Sequence, residues 1–266
     1  RIRSRGLGDV YKRQDYYMSI DTIREKLGAN PLAIHYPIGS ESEFQGAVDL
    51  ISNKAYLWSG SDLGQEFRVE DVPEHMANEV AEKRNEMIES IVEFDDELME
   101  QYLEGNEPSQ EALKKALRKG ILSNQCTAVL CGSAFTNKCV QLLLDAVVDF
   151  LPSPLEVPAV EGTDVNNPEK KIPRKTDFDE PVAALAFKIA SDSFAGTMTY
   201  IRLYSGVLKI GDQLLNPRTE KKERISKILR MHANSREEIS ELYAGDIAAV
   251  IGLKFSATGD TLCTSN

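Results

Sequence analysis

Hydrophobic and polar positions change their period several times along this chain, and each change predicts a new element. In MSIDTIREKLG (18–28), Ile20, Ile23 and Leu27 fall at helical spacing between Asp21 near the start and Gly28 at the stop, so a short amphipathic helix is expected. PLAIHYPIG (31–39) and FQGAVDLISNKAYLWSG (44–60) follow as β-rich runs. Ser52, Asn53 and Lys54 mark a short hairpin loop inside the second run, which predicts a small sheet of three strands.

From Pro73 the period becomes 3.6, and Met76, Val80, Met87 and Ile91 line one side of a helix running to about Val92. Two more helices are expected over DDELMEQYLEG (95–105) and SQEALKKALRKGIL (109–122), with Ser109 as N-cap of the second and Gly105 and Gly120 as stops. TAVLCG (127–132) and VQLLLDAVVDFL (140–151) form a strand–loop–helix unit of the parallel α/β kind, for which the sequence offers no parallel partner strand. A Pro- and charge-rich linker occupies 153–180. From Pro181 onward VAALAFKIA, GTMTYIRLYSG, VLKIGDQLL, RISKILRM and IAAVIGL are short strands punctuated by Gly206, Gly211, Gly245 and Gly259, the pattern of a β-barrel. The fold class is therefore multi-domain, α/β plus all-β.

Charge narrows the choice of partners. The chain carries 31 Lys and Arg against 42 Asp and Glu, a net −11, which argues against a nucleic-acid grip spread over the whole surface and for any such contact being local. No apolar run approaches the roughly 18 residues of a membrane span. Cys126, Cys131, Cys139 and Cys263 are too unevenly spaced for a disulfide framework, and His35, His75 and His232 lie far from them, so reduced thiols in a cytoplasm and no metal site are expected. Residues 1–14 concentrate Arg1, Arg3, Arg5, Lys12 and Arg13 against Asp9 alone, and DVYKRQ resembles the translated end of a transposon used in sequencing libraries. This segment is set aside as non-native.

The chemistry-bearing stretch is VLCGSAFTNKCVQLLLDAV (129–147). A Gly-Ser-Ala loop at the carboxyl end of a parallel strand sits where open α/β sheets bind ligands, and its small side chains let a planar base approach backbone donors. Together with HYPIGSESEFQGAVDLI, ELMEQYLEG and YAGDIAAVIGLKFSATGDTLC, this stretch resembles bacterial elongation factor G, a family of translational GTPases, from Asp15 to the end of the chain. The resemblance implies an incomplete P-loop GTPase-type α/β domain over 15–152, with an α+β insertion subdomain at about 31–124. It also implies a translation-factor barrel over 181–266, truncated at its C-terminus. Ser133, Ala134 and Phe135 would form the guanine-binding loop, with the Ala134 N–H directed at the guanine carbonyl oxygen.

The other nucleotide motifs of that family do not map. No GxxxxGK[ST] phosphate cradle occurs, no Asp is followed three residues later by Gly, and Asn137-Lys138 continues into Cys139-Val140 without the Asp that would pair with guanine N–H groups. The intact parent would use GTP and Mg2+ to drive movement of tRNA and mRNA through the ribosome. This chain is expected to bind neither tightly and carries no assigned catalytic residue. The family has Gly where Cys139 stands, and packing accounts for that difference.

Two charged surfaces complete the reading. Glu79, Glu82, Glu86, Glu89 and Glu93 share one helix face opposite the apolar stripe, and the resemblance implies that this face engages the basic C-terminal domain of the ribosomal stalk protein. Lys221, Lys222, Arg224, Lys227 and Arg230 crowd a barrel hairpin and its flanking strand, where the family docks on small-subunit ribosomal RNA. A monomer without DNA or membrane partners is expected. Ribosome-protection proteins of tetracycline resistance and the release-factor recycling GTPase share the barrel and the Ser-Ala loop and are the alternatives. Trp58, His232 and the Cys126/Cys131 pair are read as structural.

Overall fold

The computed structural model describes residues 15–58, 64–164, 167, 169–192, 196–232 and 235–264. The non-native reading of 1–14 lies outside them. The chain divides between Leu151 and Pro152 into two compact units.

The first unit opens with helix α1 (Tyr16–Leu27), capped by the Asp15 side chain accepting from the Met18 N–H and ended by Gly28 at φ 62°. Strand β1 (Pro31–Ala33) is followed by an antiparallel sheet of β2 (His35–Ile38), β3 (Gly46–Asp49), β4 (Lys54–Leu57) and β5 (Arg68–Glu70). Helices α2 (Ala77–Val92), α3 (Asp96–Leu103) and α4 (Gln110–Leu122) come next, then β6 (Thr127–Val129) and α5 (Val140–Phe150). Three sequence expectations change here. The run PLAIHYPIG is two strands, because at Ile34 the backbone passes from one sheet to another: its N–H donates to the Val129 carbonyl while its own carbonyl accepts from Leu50. The small sheet therefore has four strands, with β5 as the extra one. And β6 does have a parallel partner, β1, in register Pro31 with Thr127 and Ala33 with Val129.

Helix α2 buries Val80, Met87, Ile88, Ile91 and Val92, a broader stripe than the predicted one, against a core that includes Leu113 and Leu117 of α4. Ser109 caps α4 as expected. Gly120 is not its stop: it sits inside the helix, where an added Cβ would lie 2.6 Å from the Phe94 ring, and the chain turns instead at Asn124 with φ 57°.

In the second unit the linker contains a ribbon, β7 (Val160–Thr163) against β8 (Lys171–Arg174), which the absence of a buried face hid from periodicity. The barrel strands are β9 (Ala183–Asp192), β10 (Gly196–Ser205), β11 (Val207–Lys209), β12 (Gln213–Asn216), β13 (Lys221–Arg224), β14 (Lys227–His232), β15 (Ser235–Ile239), β16 (Glu241–Tyr243), β17 (Ile247–Ile251) and β18 (Thr261–Cys263). Eight of them run in the order β13-β12-β18-β9-β10-β17-β14-β15, and β11 pairs with β16. Only Ile225 and Ser226 connect β13, at one end of that order, to β14 near the other, so the sheet must curl on itself. The Ser226 N–H donates to the Ile251 carbonyl at 2.7 Å, and fully buried Ile225 joins Ile201, Leu203, Leu214, Ile228 and Leu262 in the core.

Two buried carboxylates hold the loop between β17 and β18. Glu223 accepts from the Lys254 and Phe255 N–H groups and the Ser256 hydroxyl. Asp260 accepts from Arg218 at 2.5 Å, from the Ala257 N–H and from the Asn216 side chain, the last two at 2.8 Å. The Arg218 hydrogen bond, aided by the other two donors, holds the Asp260 carboxyl well below the usual carboxylate range against the opposing effect of burial. A depressed native pKa means that this contribution to stability is complete above the unfolded value, about pH 4, and is lost as pH falls through the native one. Urea unfolding of the barrel, followed by circular dichroism, should therefore lose stability more steeply below about pH 4 in the native chain than in Asp260→Asn. Equal acid sensitivity would contradict the assignment.

Candidate nucleotide-rim loop and charged partner surfaces

Strand β6 runs out at Val129, and after Gly132 the chain closes a tight turn in which the Ser133 N–H donates to the Lys138 carbonyl and the Lys138 N–H returns to Ser133, both at 3.0 Å. Ser133, Ala134 and Phe135 are brought together, but with different consequences. The Ser133 amide is spent on closing the turn. Those of Ala134 and Phe135 have no acceptor among the described residues, Ala134 is exposed, and the Phe135 side chain is 97% exposed. Two open donors at a rigid turn can receive a carbonyl oxygen or another acceptor edge of a planar ligand.

The turn is fixed from its far side. Lys138 Nζ donates to the Phe44 carbonyl at 2.6 Å and Gln141 Nε2 to the Gly64 carbonyl at 2.7 Å. Asn137 and Cys139 both adopt the left-handed conformation, φ 56° and 63°. For Cys139 this is the physical reason a glycine suits the position: no Cβ strain arises there without a side chain. The Cys139 side chain is buried with Ala47 and Trp58, and burial pushes its thiol up to about 12, so the start of α5 does not activate it. Trp58 is a core residue, as expected, and its Nε1 donates to the Gly64 carbonyl. All four cysteines are free.

All five glutamates of the predicted face, four on α2 and Glu93 at its C-cap, are exposed. They are not equivalent. Glu79 accepts from the Tyr36 hydroxyl at 2.5 Å, and Glu86 pairs with Lys83 at 2.8 Å. Burial and that Glu79 contact push the Tyr36 phenol up to about 12. Arg84 turns away to Glu107 at 3.0 Å. Glu82, Glu89 and Glu93 have no cationic partner among the described residues and form the part of the face open to a basic ligand.

The barrel cations divide in the same way. Lys227 pairs with Glu238 at 2.8 Å across β14–β15, and Arg230 lies 3.9 Å from Glu237 and 4.0 Å from Asp246. Exposed His232 lies 3.6 Å from Glu237. Lys222 and Arg224, on the outward face of β13, have no acidic partner among the described residues. Lys221, on the opposite face of that strand, stands 3.8 Å from the centre of the Phe255 ring. Sequence reasoning missed the surroundings of this contact, Arg218, Lys254 and Phe255, because their proximity depends on strand pairing and no local motif announces it.

Residues 196–263 match the family Elongation factor Tu domain 2. The chain is 61% identical over 252 residues to Elongation factor G 1 of Bdellovibrio bacteriovorus, an alignment that covers 95% of this chain and 36% of the relative. A crystal structure from Thermus thermophilus superposes with a TM-score of 0.73 at 30% identity, covering 95% of this chain and 34% of that one. No helix among the described residues is long and apolar enough to cross a membrane. The parallel strand pair, the Ser-Ala turn and the barrel thus occur together in an elongation factor G-type sequence, one that spans 36% of the length of the curated relative it matches.

Proposed function

We propose that this chain is the ribosome-directed part of a translational GTPase that moves tRNA and mRNA through the ribosome in the cytoplasm. In this reading it retains two partner surfaces and one rim of the nucleotide pocket without the means to hydrolyse GTP. The observation that carries the reading is the pair of open amides at Ala134 and Phe135 within a sequence 61% identical to an elongation factor G. Those amides fit the acceptor edge of a guanine base. GTP would be gripped mainly through its phosphates and their Mg2+, and for these the sequence offers no glycine-rich cradle, so the fit is to the base alone. What this chain's residues do is hold the turn: Lys138 and Gln141 anchor it, and Ser133 closes it.

Titration calorimetry should accordingly give a GTP dissociation constant weaker than about 1 mM, unaffected by magnesium. Micromolar, magnesium-dependent binding would overturn the account.

For the acidic face the proposed partner is the basic C-terminal domain of the stalk protein, held by Glu82, Glu89 and Glu93. Replacing these three with Gln should weaken binding of that domain at least about tenfold, and per residue more than Glu86→Gln, whose charge Lys83 already offsets. Undiminished affinity of the triple variant would end this assignment.

For the barrel the proposed partner is small-subunit ribosomal RNA, contacted through phosphates. Removing one cation that meets a phosphate should flatten the dependence of log affinity on log salt by roughly one unit, so Lys222→Ala with Arg224→Ala should lower the slope by about two. Lys227→Ala with Arg230→Ala should lower it less, since Glu238 and Glu237 already compensate those charges. A native slope near zero would remove RNA as the partner.

A further inference from the structure

Phe255 is fixed from almost every side and left open on one. Its N–H donates to the buried Glu223 carboxylate at 2.8 Å, its carbonyl accepts from Arg218 Nη2 at 3.3 Å, and the Lys221 ammonium stands 3.8 Å from the centre of its ring. The flanking residues are held by the same two buried acids, Lys254 and Ser256 by Glu223 and Ala257 by Asp260. Yet the residue remains 46% exposed, and among the described residues neither aromatic stacking nor a core cluster takes up its ring. A large apolar side chain held in place with nearly half its surface exposed forgoes a large part of the gain of burial.

The chemistry around it selects a partner. Glu223 and Asp260 are buried and satisfied by donors, whereas exposed Lys221 stands at the ring, exposed Lys254 precedes it in the chain, and the Arg218 guanidinium, paired with Asp260, keeps part of its surface in solvent. A half-exposed aromatic ring backed by one ammonium, with an exposed lysine next to it in the chain, matches an unpaired nucleotide, whose base can stack on the ring while its phosphates meet the lysines. The geometry points to Phe255 as a stacking platform for an unpaired base of single-stranded RNA. This rests on the RNA-docking reading of the barrel and deepens it. Paired bases in an RNA helix present no free face, so the platform selects loops, bulges or ends over duplex. Lys221 and Glu223 point to one face of β13 and Lys222 and Arg224 to the other, so stacking and the phosphate contacts of Lys222 and Arg224 can be tested separately.

The test uses the full chain and two fluorescent RNA probes of roughly twelve nucleotides, one ordinary and single-stranded, one abasic with the same phosphates, read by anisotropy at low salt. Phe255→Ala should weaken ordinary RNA about fivefold or more with an unchanged salt slope. It should leave abasic RNA binding as it was, and Phe255→Trp should retain native affinity for both. Equal binding of both probes by the native chain and Phe255→Ala would overturn the platform while leaving the RNA-docking reading standing on its salt slope. An equal loss on both probes would also overturn it, because the ring would then be acting only as a prop for Lys221. Absence of RNA binding by the native chain would remove the RNA-docking reading and the platform with it.

Discussion

Backbone N–H groups that leave a ladder must find acceptors, and the acceptor found at each departure shapes this chain. At Ile34 the backbone leaves the parallel pair β1–β6 and joins the antiparallel sheet by exchanging bonds with Val129 on one side and Leu50 on the other. Between β17 and β18 no strand is available, so side chains take over. Glu223 gathers the donors of Lys254, Phe255 and Ser256, and Asp260 gathers that of Ala257. A buried carboxylate is expensive unless its lone pairs are filled, and here both acids are filled by groups that themselves needed acceptors. At the exposed turn after Gly132 the amides of Ala134 and Phe135 find no acceptor among the described residues, which is why that turn suits an external ligand.

The same accounting applied to charge separates groups that look alike in the sequence. The net −11 is distributed over faces where many charges are already matched by a neighbour. Of the five glutamates along α2 and at its end, Glu86 is matched by Lys83, and Glu79 accepts from the uncharged Tyr36 hydroxyl. Among the barrel cations, Lys227 and Arg230 face Glu238 and Glu237 across the β14–β15 register. Exposed pairs such as these add about 0 to 1 kcal/mol to stability, but they weaken the field that a partner would meet. A partner of the proposed kind would therefore meet chiefly the charges without an opposite neighbour among the described residues: Glu82, Glu89 and Glu93 on one surface, Lys222 and Arg224 on the other.

Elements whose burial follows their own period were legible in the sequence. The α2 stripe, the Ser109 cap and the strand–turn–helix around Ser133 follow from local patterns, and the structure has each of them. Features set by distant partners were not. Gly120 reads as a helix stop because nothing nearby tells that Phe94 will fill the space a Cβ would take. Pro31–Ala33 and His35–Ile38 read as one strand because an apolar run does not name the sheet it will join. The ribbon β7–β8 escaped notice because its first strand is exposed at every position, leaving no alternation to detect. Likewise the residues around Phe255 come from β13, the turn before it and the loop before β18, separated by more than thirty positions.

Cys139 shows how local strain and packing combine at the candidate nucleotide rim. A side chain at φ 63° costs about 1 kcal/mol relative to glycine, since its Cβ crowds the following carbonyl. Burying a methylene and a sulfur against Ala47 and Trp58 returns an amount of the same order. The turn can thus keep its shape with a residue that the backbone alone would disfavour. Because the thiol is buried and its ionisation suppressed, the substitution adds no charge and no nucleophile beside the open amides. The donor geometry at Ala134 and Phe135 then depends on the hydrogen bonds of Ser133, Lys138 and Gln141, and those are indifferent to whether a hydrogen or a thiomethyl group occupies the start of α5.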